Sequence, residues 1–185
     1  MSGDIATRLR ALGAHDDVVS YAARFGSDFR AFAEQCPRGD WLLAIAAKLG
    51  ADRRALVRAA VSCSREALTY LLEPSPVITG ALAAAEAWSR GNGDESSAQA
   101  HAKKLQTLPP SADAVEDMVV QAIAAALAAI TDPEAAAHAA SCTAQAAVLA
   151  AGDCAMEVAL RFTQEKCAAL TRAEISPTQL STLVA

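Results

Sequence analysis

Alanine recurs at helical spacing through the second half of this 185-residue chain, and this pattern constrains the fold more than any other feature. Side chains three and four residues apart lie on one face of an α-helix, and a face of methyl groups lets two helices approach closely. We therefore expect an interior built from close helix-to-helix contacts. The faces in question are Ala122, Ala125, Ala126 and Ala129 in one stretch, and Ala136, Ala139, Ala140 and Ala147 in the next.

Aromatic residues are scarce, at 4% of a chain that is 53% hydrophobic. A core with few rings has to draw its stability from many aliphatic contacts, so the large side chains Trp41 and Trp88 carry a disproportionate share. No segment alternates polar and apolar residues for long enough to indicate a strand. We predict an all-α fold, a multi-helix bundle formed by residues 1–185 as a single domain. The alternative is helical-repeat-like stacking in the C-terminal half.

Proline after a capping residue marks three predicted helix starts, at Ser75-Pro76, Asp132-Pro133 and Ser176-Pro177. The capping side chain accepts a hydrogen bond from a free backbone N–H, and proline at the first helical position has no such bond to lose. Cys36-Pro37 is a weaker version of this signal, and Ser111 is a further cap candidate. Together with the apolar periodicity, these signals predict helices at 4–12, 16–33, 38–49, 52–72, 76–90, 95–106, 111–131, 133–150, 153–172 and 177–184.

The charge and cysteine content argue against several classes of protein. A net charge of −5, with one short basic stretch at Arg53, Arg54 and Arg58, is not typical of a nucleic-acid-binding protein. The most apolar segment, 118–130, is shorter than the roughly 20 residues that cross a membrane, and we see no secretory leader. The five cysteines are widely spaced and odd in number, which favours reduced, buried thiols in a cytoplasmic protein.

Catalytic and metal-binding motifs are also missing from the sequence. His138 and Cys142 stand four residues apart and could share one helix face, but structural zinc normally needs four ligands, and no C-x-x-C is present. We find no G-x-S-x-G, no glycine-rich phosphate loop and no H-E-x-x-H. We therefore predict neither a metal site, nor a cofactor, nor an enzyme.

The segment from Cys36 to Leu43 admits two interpretations. In the first it is a helix start, with Asp40 in the first turn and Trp41 turned inward. In the second, Arg38 and Asp40 form a partner-binding surface that Trp41 anchors. The arginines Arg53, Arg54, Arg58 and Arg65 fall on neighbouring turns of one predicted helix and suggest a solvated basic face. For Arg65 we expect a buried ion pair with Glu86.

Four motifs within residues 30–92 resemble, in order and spacing, the Imm5-like immunity proteins of bacterial toxin systems. Residues 111–172 are similar to that family in their alanine-rich composition only. The resemblance implies an all-helical protein that neutralises a toxin by direct binding. The motifs are Cys36-Pro37-Arg38-Gly39-Asp40-Trp41-Leu42, Asp52-Arg53-Arg54, Cys63-x-Arg65-x-x-Leu68-x-Tyr70 and Ala85-Glu86-Ala87-Trp88-x-Arg90-Gly91.

Our leading hypothesis is an antitoxin-type protein whose mildly acidic surface complements a basic protein partner. The competing hypothesis is a helical scaffold or regulatory subunit without catalytic activity, which self-associates or docks onto another protein through its alanine-rich helices. We predict no nucleic-acid or membrane partner. The candidate contact residues are Arg38, Asp40, Trp41, Arg53, Arg54, Arg65, Glu86 and Trp88.

Overall fold

The computed structural model describes residues 4–184. Eleven α-helices and one 3-10 turn at Ala23–Phe25 make up the regular structure of this part of the chain, which contains no strand. The all-α multi-helix bundle is thus confirmed. The helices are α1 Ile5–Ala11, α2 Asp16–Ala22, α3 Phe29–Gln35, α4 Gly39–Lys48, α5 Arg53–Leu68, α6 Pro76–Ser89, α7 Glu95–Gln106, α8 Ala114–Ala128, α9 Ala135–Ala151, α10 Met156–Glu174 and α11 Pro177–Val184.

Helix α9 lies at the centre of the bundle, where it packs against α4, α5, α8 and α10. Small side chains allow four neighbours to surround one helix, because the distance between two helix axes depends on the residues between them. All eight alanines that we expected in close helix contacts, on α8 and α9 and just after α8, are buried. The buried residues of α9 are Ala136, Ala139, Ala140, Cys142, Thr143, Ala144, Ala146 and Ala147.

Two buried hydroxyl groups join helices within this core. The Thr143 hydroxyl on α9 lies 2.8 Å from the carbonyl of Ala139 in its own helix and 3.2 Å from the carbonyl of Cys63 on α5. The Ser64 hydroxyl on α5 donates to the carbonyl of Ala122 on α8 at 2.9 Å. Each buried hydroxyl therefore has a hydrogen-bond acceptor, which removes the cost of leaving a polar group unpaired.

An aromatic cluster forms the second part of the core. Phe32 is fully buried at its centre, and the ring centroids of neighbouring members are 5.4 to 6.1 Å apart. These separations are typical of favourable aromatic pairs. The cluster connects the N-terminal helices to the start of α4, and its members are Tyr21, Phe25, Phe29, Phe32 and Trp41.

Three predicted helix starts are confirmed by their capping contacts. The Ser75 hydroxyl accepts from the N–H of Ile78, and Pro76 follows as the first helical residue of α6. The Ser176 hydroxyl accepts in the same way at the start of α11. Asp52 caps α5, with its carboxylate 2.9 Å from the backbone nitrogen of Ala55. Here the local signal alone places the helix start, because each cap needs only residues within the first turn.

The predicted helix at 16–33 is wrong, since the chain turns sharply in its middle. Helix α2 ends at Ala22, and Gly26 has a φ of 57°, a conformation that glycine adopts far more readily than other residues. Asp28 then caps α3 through a hydrogen bond from the N–H of Ala31 at 2.9 Å. The glycine and the acidic cap are a local stop and start signal that the apolar periodicity obscured.

Two further predicted starts are displaced because their capping side chains bind elsewhere. The Ser111 hydroxyl contacts the Glu116 carboxylate at 2.6 Å, and Asp113 caps α8 instead. The Asp132 carboxylate accepts from the N–H of Glu134 at 3.1 Å and closes a separate turn, so α9 begins three residues later than Asp132.

Two predicted helices also have shifted ends. The predicted helix at 52–72 ends at Leu68. Gly152, with a φ of 65°, makes a true break, and α10 begins only at Met156. A glycine in this conformation commonly ends a helix.

Among the described residues, we find no helix that combines the length and the apolar character needed to cross a membrane.

Enlarging an alanine in the core should destabilise the protein. Ala126 on α8 is fully buried, so Ala126→Leu overpacks a helix contact at a typical cost of about 1 to 3 kcal/mol. Ala100, on the exposed side of α7, provides the matched control Ala100→Leu. We expect thermal denaturation to show a melting temperature lowered by several degrees for Ala126→Leu and almost unchanged for Ala100→Leu. An unchanged value for Ala126→Leu would contradict close packing on this face.

Candidate partner-binding surface

The start of α4 holds Arg38, Asp40 and Trp41 in one arrangement. The Arg38 guanidinium donates two hydrogen bonds to the Asp40 carboxylate, at 2.9 and 2.5 Å, and lies 4.5 Å from the centroid of the Trp41 ring. The hydrogen bond to Asp40 raises the pKa of Arg38. A guanidinium paired and stacked in this way is a rigid group, because both partners restrict its rotation.

The predicted helix start at Cys36-Pro37 is wrong, since α4 begins at Gly39. A thiol is a poor cap, and the Cys36 sulfur instead lies 3.6 Å from the carbonyl of Arg38. The carbonyl of Cys36 accepts a hydrogen bond from Arg172 on α10 at 2.8 Å. The segment before α4 is therefore held by α10 and not by a capping contact of its own.

Gly39 brings α4 into direct contact with the backbone of α10. A Cβ atom at this position would lie 2.6 Å from the carbonyl carbon of Cys167 and 2.8 Å from the backbone nitrogen of Ala168. Such distances are too short for any side chain, so glycine is required by packing. This close approach sets the position of Arg38, Asp40 and Trp41 relative to the rest of the bundle.

An open groove of about 480 Å³ lies beside these motif residues. Arg38 and Asp40 neutralise each other, and Lys48 lies 3.7 Å from the exposed carboxylate of Glu134 and offsets part of its charge. With the exposed carboxylate of Asp17, the groove is therefore mildly acidic. Residues far apart in the sequence meet here, from the starts of α2, α4 and α9. The lining residues are His15, Asp17, Arg38, Asp40, Trp41, Ala44, Glu134, Ala137, His138 and Ser141.

His138 at the groove contacts Cys142, as their spacing suggested, with 3.4 Å between Nε2 and Sγ. Burial raises the pKa of the Cys142 thiol to about 11, so the thiol stays protonated near neutral pH. A reactive cysteine is normally a thiolate with a lowered pKa. In residues 4–184, no group of three or more His, Cys, Asp or Glu side chains is arranged to hold a metal ion.

A second set of motif residues lies where α5 packs against α6. The guanidinium carbons of Arg53 and Arg54 are 5.5 and 5.9 Å from the centroid of Trp88, which is buried. Gly91 lies just after α6 and has a φ of 79°. A Cβ atom at Gly91 would lie 3.1 Å from a guanidinium nitrogen of Arg54. These side chains cover the tryptophan and hold the two helices together, so part of the predicted basic face is used in packing.

The Arg65–Glu86 ion pair forms, but the expectation that it is buried is wrong. The Arg65 side chain is 57% exposed and that of Glu86 is 25% exposed, because both lie at the surface of the α5–α6 contact. Arg90 also binds Glu86, at 2.7 Å. Exposed pairs of this kind contribute about 0.2 to 1 kcal/mol.

A further ion pair, in which Arg58 on α5 binds Glu174 on α10 at 2.7 Å, was not predictable from the sequence. The two residues are 116 positions apart in the sequence, and helical periodicity relates only residues within one helix. Arg58 also donates to the carbonyl of Ser89 at 3.2 Å, so one guanidinium connects α5, α6 and α10.

Comparison of the chain with protein-family models, with curated proteins and with solved structures finds no match. The eight candidate residues divide into two groups. Arg38, Asp40 and Trp41 border an open groove, whereas the other five stabilise the α5–α6 contact. The groove is therefore the stronger candidate for a binding surface.

A methyl group at Gly39 should destabilise the bundle. Gly→Ala inside a helix normally gains up to about 1 kcal/mol, so a loss has to come from the contact with α10. We expect Gly39→Ala to lower the free energy of unfolding by about 1 to 3 kcal/mol in urea titration. Gly80→Ala is the matched control, because its new Cβ would meet only the tip of the His101 ring, at 3.3 Å. A gain for Gly39→Ala would contradict the close approach of α4 and α10.

Thiol labelling should distinguish one cysteine from the other four. Cys36, Cys63, Cys142 and Cys167 are buried, whereas Cys154 is exposed, which corrects the expectation that all five are buried. Burial also raises the pKa of Cys36 to about 11. We expect iodoacetamide to modify the native protein once, at Cys154, and all five thiols in urea. A Cys154→Ser variant that still reacts in the native state would contradict this assignment.

Proposed function

We propose that this protein is an immunity-type protein that binds and neutralises a partner protein toxin and does not act as an enzyme. The observation that carries the proposal is the acidic groove, in which Arg38, Asp40 and Trp41 stand beside the exposed carboxylates of Asp17 and Glu134. The resemblance of the motif residues to Imm5-like immunity proteins supports the same function.

The groove is suited to binding because its central side chains are already ordered. The ion pair with Asp40 and the stacking on Trp41 hold Arg38, while Trp41 lies 5.9 Å from Tyr21 in the aromatic cluster. Groups that are held before binding lose little conformational entropy when a partner arrives. Tryptophan and arginine are also the residues that most often dominate the affinity of protein interfaces.

The charge of the groove favours a basic partner. The chain carries a net charge of −5, and the groove is lined by the three carboxylates of Asp17, Asp40 and Glu134 against one guanidinium, that of Arg38, with Lys48 beside Glu134 at 3.7 Å. Opposite charge on a partner increases the association rate more than it increases the affinity. We therefore expect electrostatic attraction to speed the encounter with a basic toxin surface, and contacts with Trp41 to retain it.

The state of the thiols supports a function without catalysis. Burial raises the pKa of Cys36 and Cys142 to about 11, so neither is an activated nucleophile near neutral pH. The proposal also assigns the protein to the bacterial cytoplasm, where reduced cysteines are stable. All five cysteines are free, which is consistent with that location.

A growth assay tests the proposal directly. The proposal expects a polymorphic toxin gene beside the gene of this protein; when the two are co-expressed in bacteria, we expect the chain to restore growth. The variant Asp17→Asn/Glu134→Gln should protect poorly, because it removes the exposed negative charge from the groove. Glu73→Gln/Glu95→Gln, at exposed sites elsewhere, makes the same change in net charge and should protect fully.

Surface plasmon resonance with the purified toxin measures whether a loss of protection comes from slower association. We expect the association rate constant of the groove variant to fall about tenfold at low salt, and the difference to shrink as salt is added. The proposal fails if the wild-type chain does not restore growth, or if the groove variant protects as well as the control at equal expression.

A further inference from the structure

The first two turns of α10 extend beyond the body of the bundle. From Gly152 to Phe162 every residue is exposed except Ala159, which is partly covered. The first buried residue is Thr163, whose hydroxyl lies 3.2 Å from that of Tyr70 on the segment after α5. The exposed large apolar side chains here are Leu149 at the end of α9 and Met156, Val158, Leu160 and Phe162 on α10. We call these five residues the apolar tip.

The apolar tip is hydrophobic on both sides of α10. Each residue of an α-helix is rotated by about 100° from the previous one, so Met156 and Leu160 share one side while Val158 and Phe162 share the other. Val158 and Phe162 are 62% and 63% exposed. With Ala159 between the two pairs, the apolar residues form an arc of about 200°, wider than the roughly 100° stripe typical of a surface helix, and Glu157 and Arg161 occupy the remaining side. Nothing in the described part of the chain covers this apolar arc.

We propose that the apolar tip binds the same surface of a second copy of this chain, forming a two-fold symmetric dimer. The five side chains expose on the order of 500 Å² on each copy, as much as the largest patch of a typical monomer. Pairing two copies buries on the order of 1,000 Å² of apolar side-chain surface. With the polar residues around the patch, this reaches the range of about 1,200 to 2,000 Å² found for specific interfaces.

The charges around the apolar tip fit a second copy better than a strongly charged partner. Glu157 and Arg161 have opposite signs and stand two residues to either side of Ala159. By the same rotation of about 100° per residue, both charged side chains lie on the side of α10 opposite Ala159, so two copies that pack across Ala159 bury no charge, and symmetry matches each apolar face with an identical one. The small side chain of Ala159 also allows the two helices to approach closely.

This dimer uses a different end of the molecule from the acidic groove. The groove contains Glu134 and His138 at the start of α9, whereas Leu149 lies near the end of that helix. A 17-residue helix is about 25 Å long, so dimer formation leaves both grooves open. Self-association does not rest on the proposed function, and either can fail without the other.

Sedimentation velocity of the full chain, from low micromolar to sub-millimolar concentration, tests the dimer. We expect the wild type to reach twice its monomer mass of 19.1 kDa. Val158→Glu/Phe162→Glu should raise the dimer dissociation constant at least a hundredfold, because it places charge in the apolar contact. The control Ala100→Glu/Gln106→Glu adds the same charge on the exposed side of α7 and should dimerise as the wild type does.

Circular dichroism first establishes that each variant is folded. Hydrogen exchange of the wild type provides an independent measurement, since amides in 156–162 should exchange more slowly at high concentration than at low concentration. A wild type that remains monomeric throughout would overturn the proposal, as would a Val158→Glu/Phe162→Glu variant that dimerises as tightly as the control. Exchange in 156–162 that does not change with concentration would also count against it.

Discussion

The close approach of α9 to its four neighbours is the contact on which the rest of this structure depends. Because the buried side chains of α9 are mostly single methyl groups, α4, α5, α8 and α10 can all pack around it. Gly39 extends the same principle to the contact between α4 and α10, where no side chain fits at all. A core of this kind gains its stability from many short contacts, so added volume at any of them forces helices apart.

The packing of α4 and α9 also creates the groove. Since α4 is held against α10 at Gly39, its first turn directs Arg38, Asp40 and Trp41 toward the start of α9. The aromatic cluster then fixes Trp41 from the other side, through Tyr21. The remaining motif residues serve a different purpose, because they cover Trp88 and connect α5 to α6. The motif residues are close together in the sequence, but the fold places one group beside the groove and uses the other group to pack α5 against α6.

The two surfaces that we assign to binding have different chemistry and lie at opposite ends of α9. The groove is polar, acidic and ordered, which suits a charged protein partner. The apolar tip has large exposed side chains, which suit a partner of the same kind. If both proposals hold, one dimer presents two separated grooves. A toxin with two accessible basic surfaces would then be bound more tightly than by one groove alone, because the second contact forms within the same complex.

The sequence by itself determined the all-α class, the alanine-rich helix faces and the helix starts at Asp52, Ser75 and Ser176. Each of these depends on periodicity or on contacts within a single turn. Only the tertiary structure decided that Glu134 and His138 meet Arg38, and that Cys154 and Phe162 stay exposed. The physical reason is that a helical pattern specifies which side chains share a face. Whether another helix covers that face depends on how distant parts of the chain pack together.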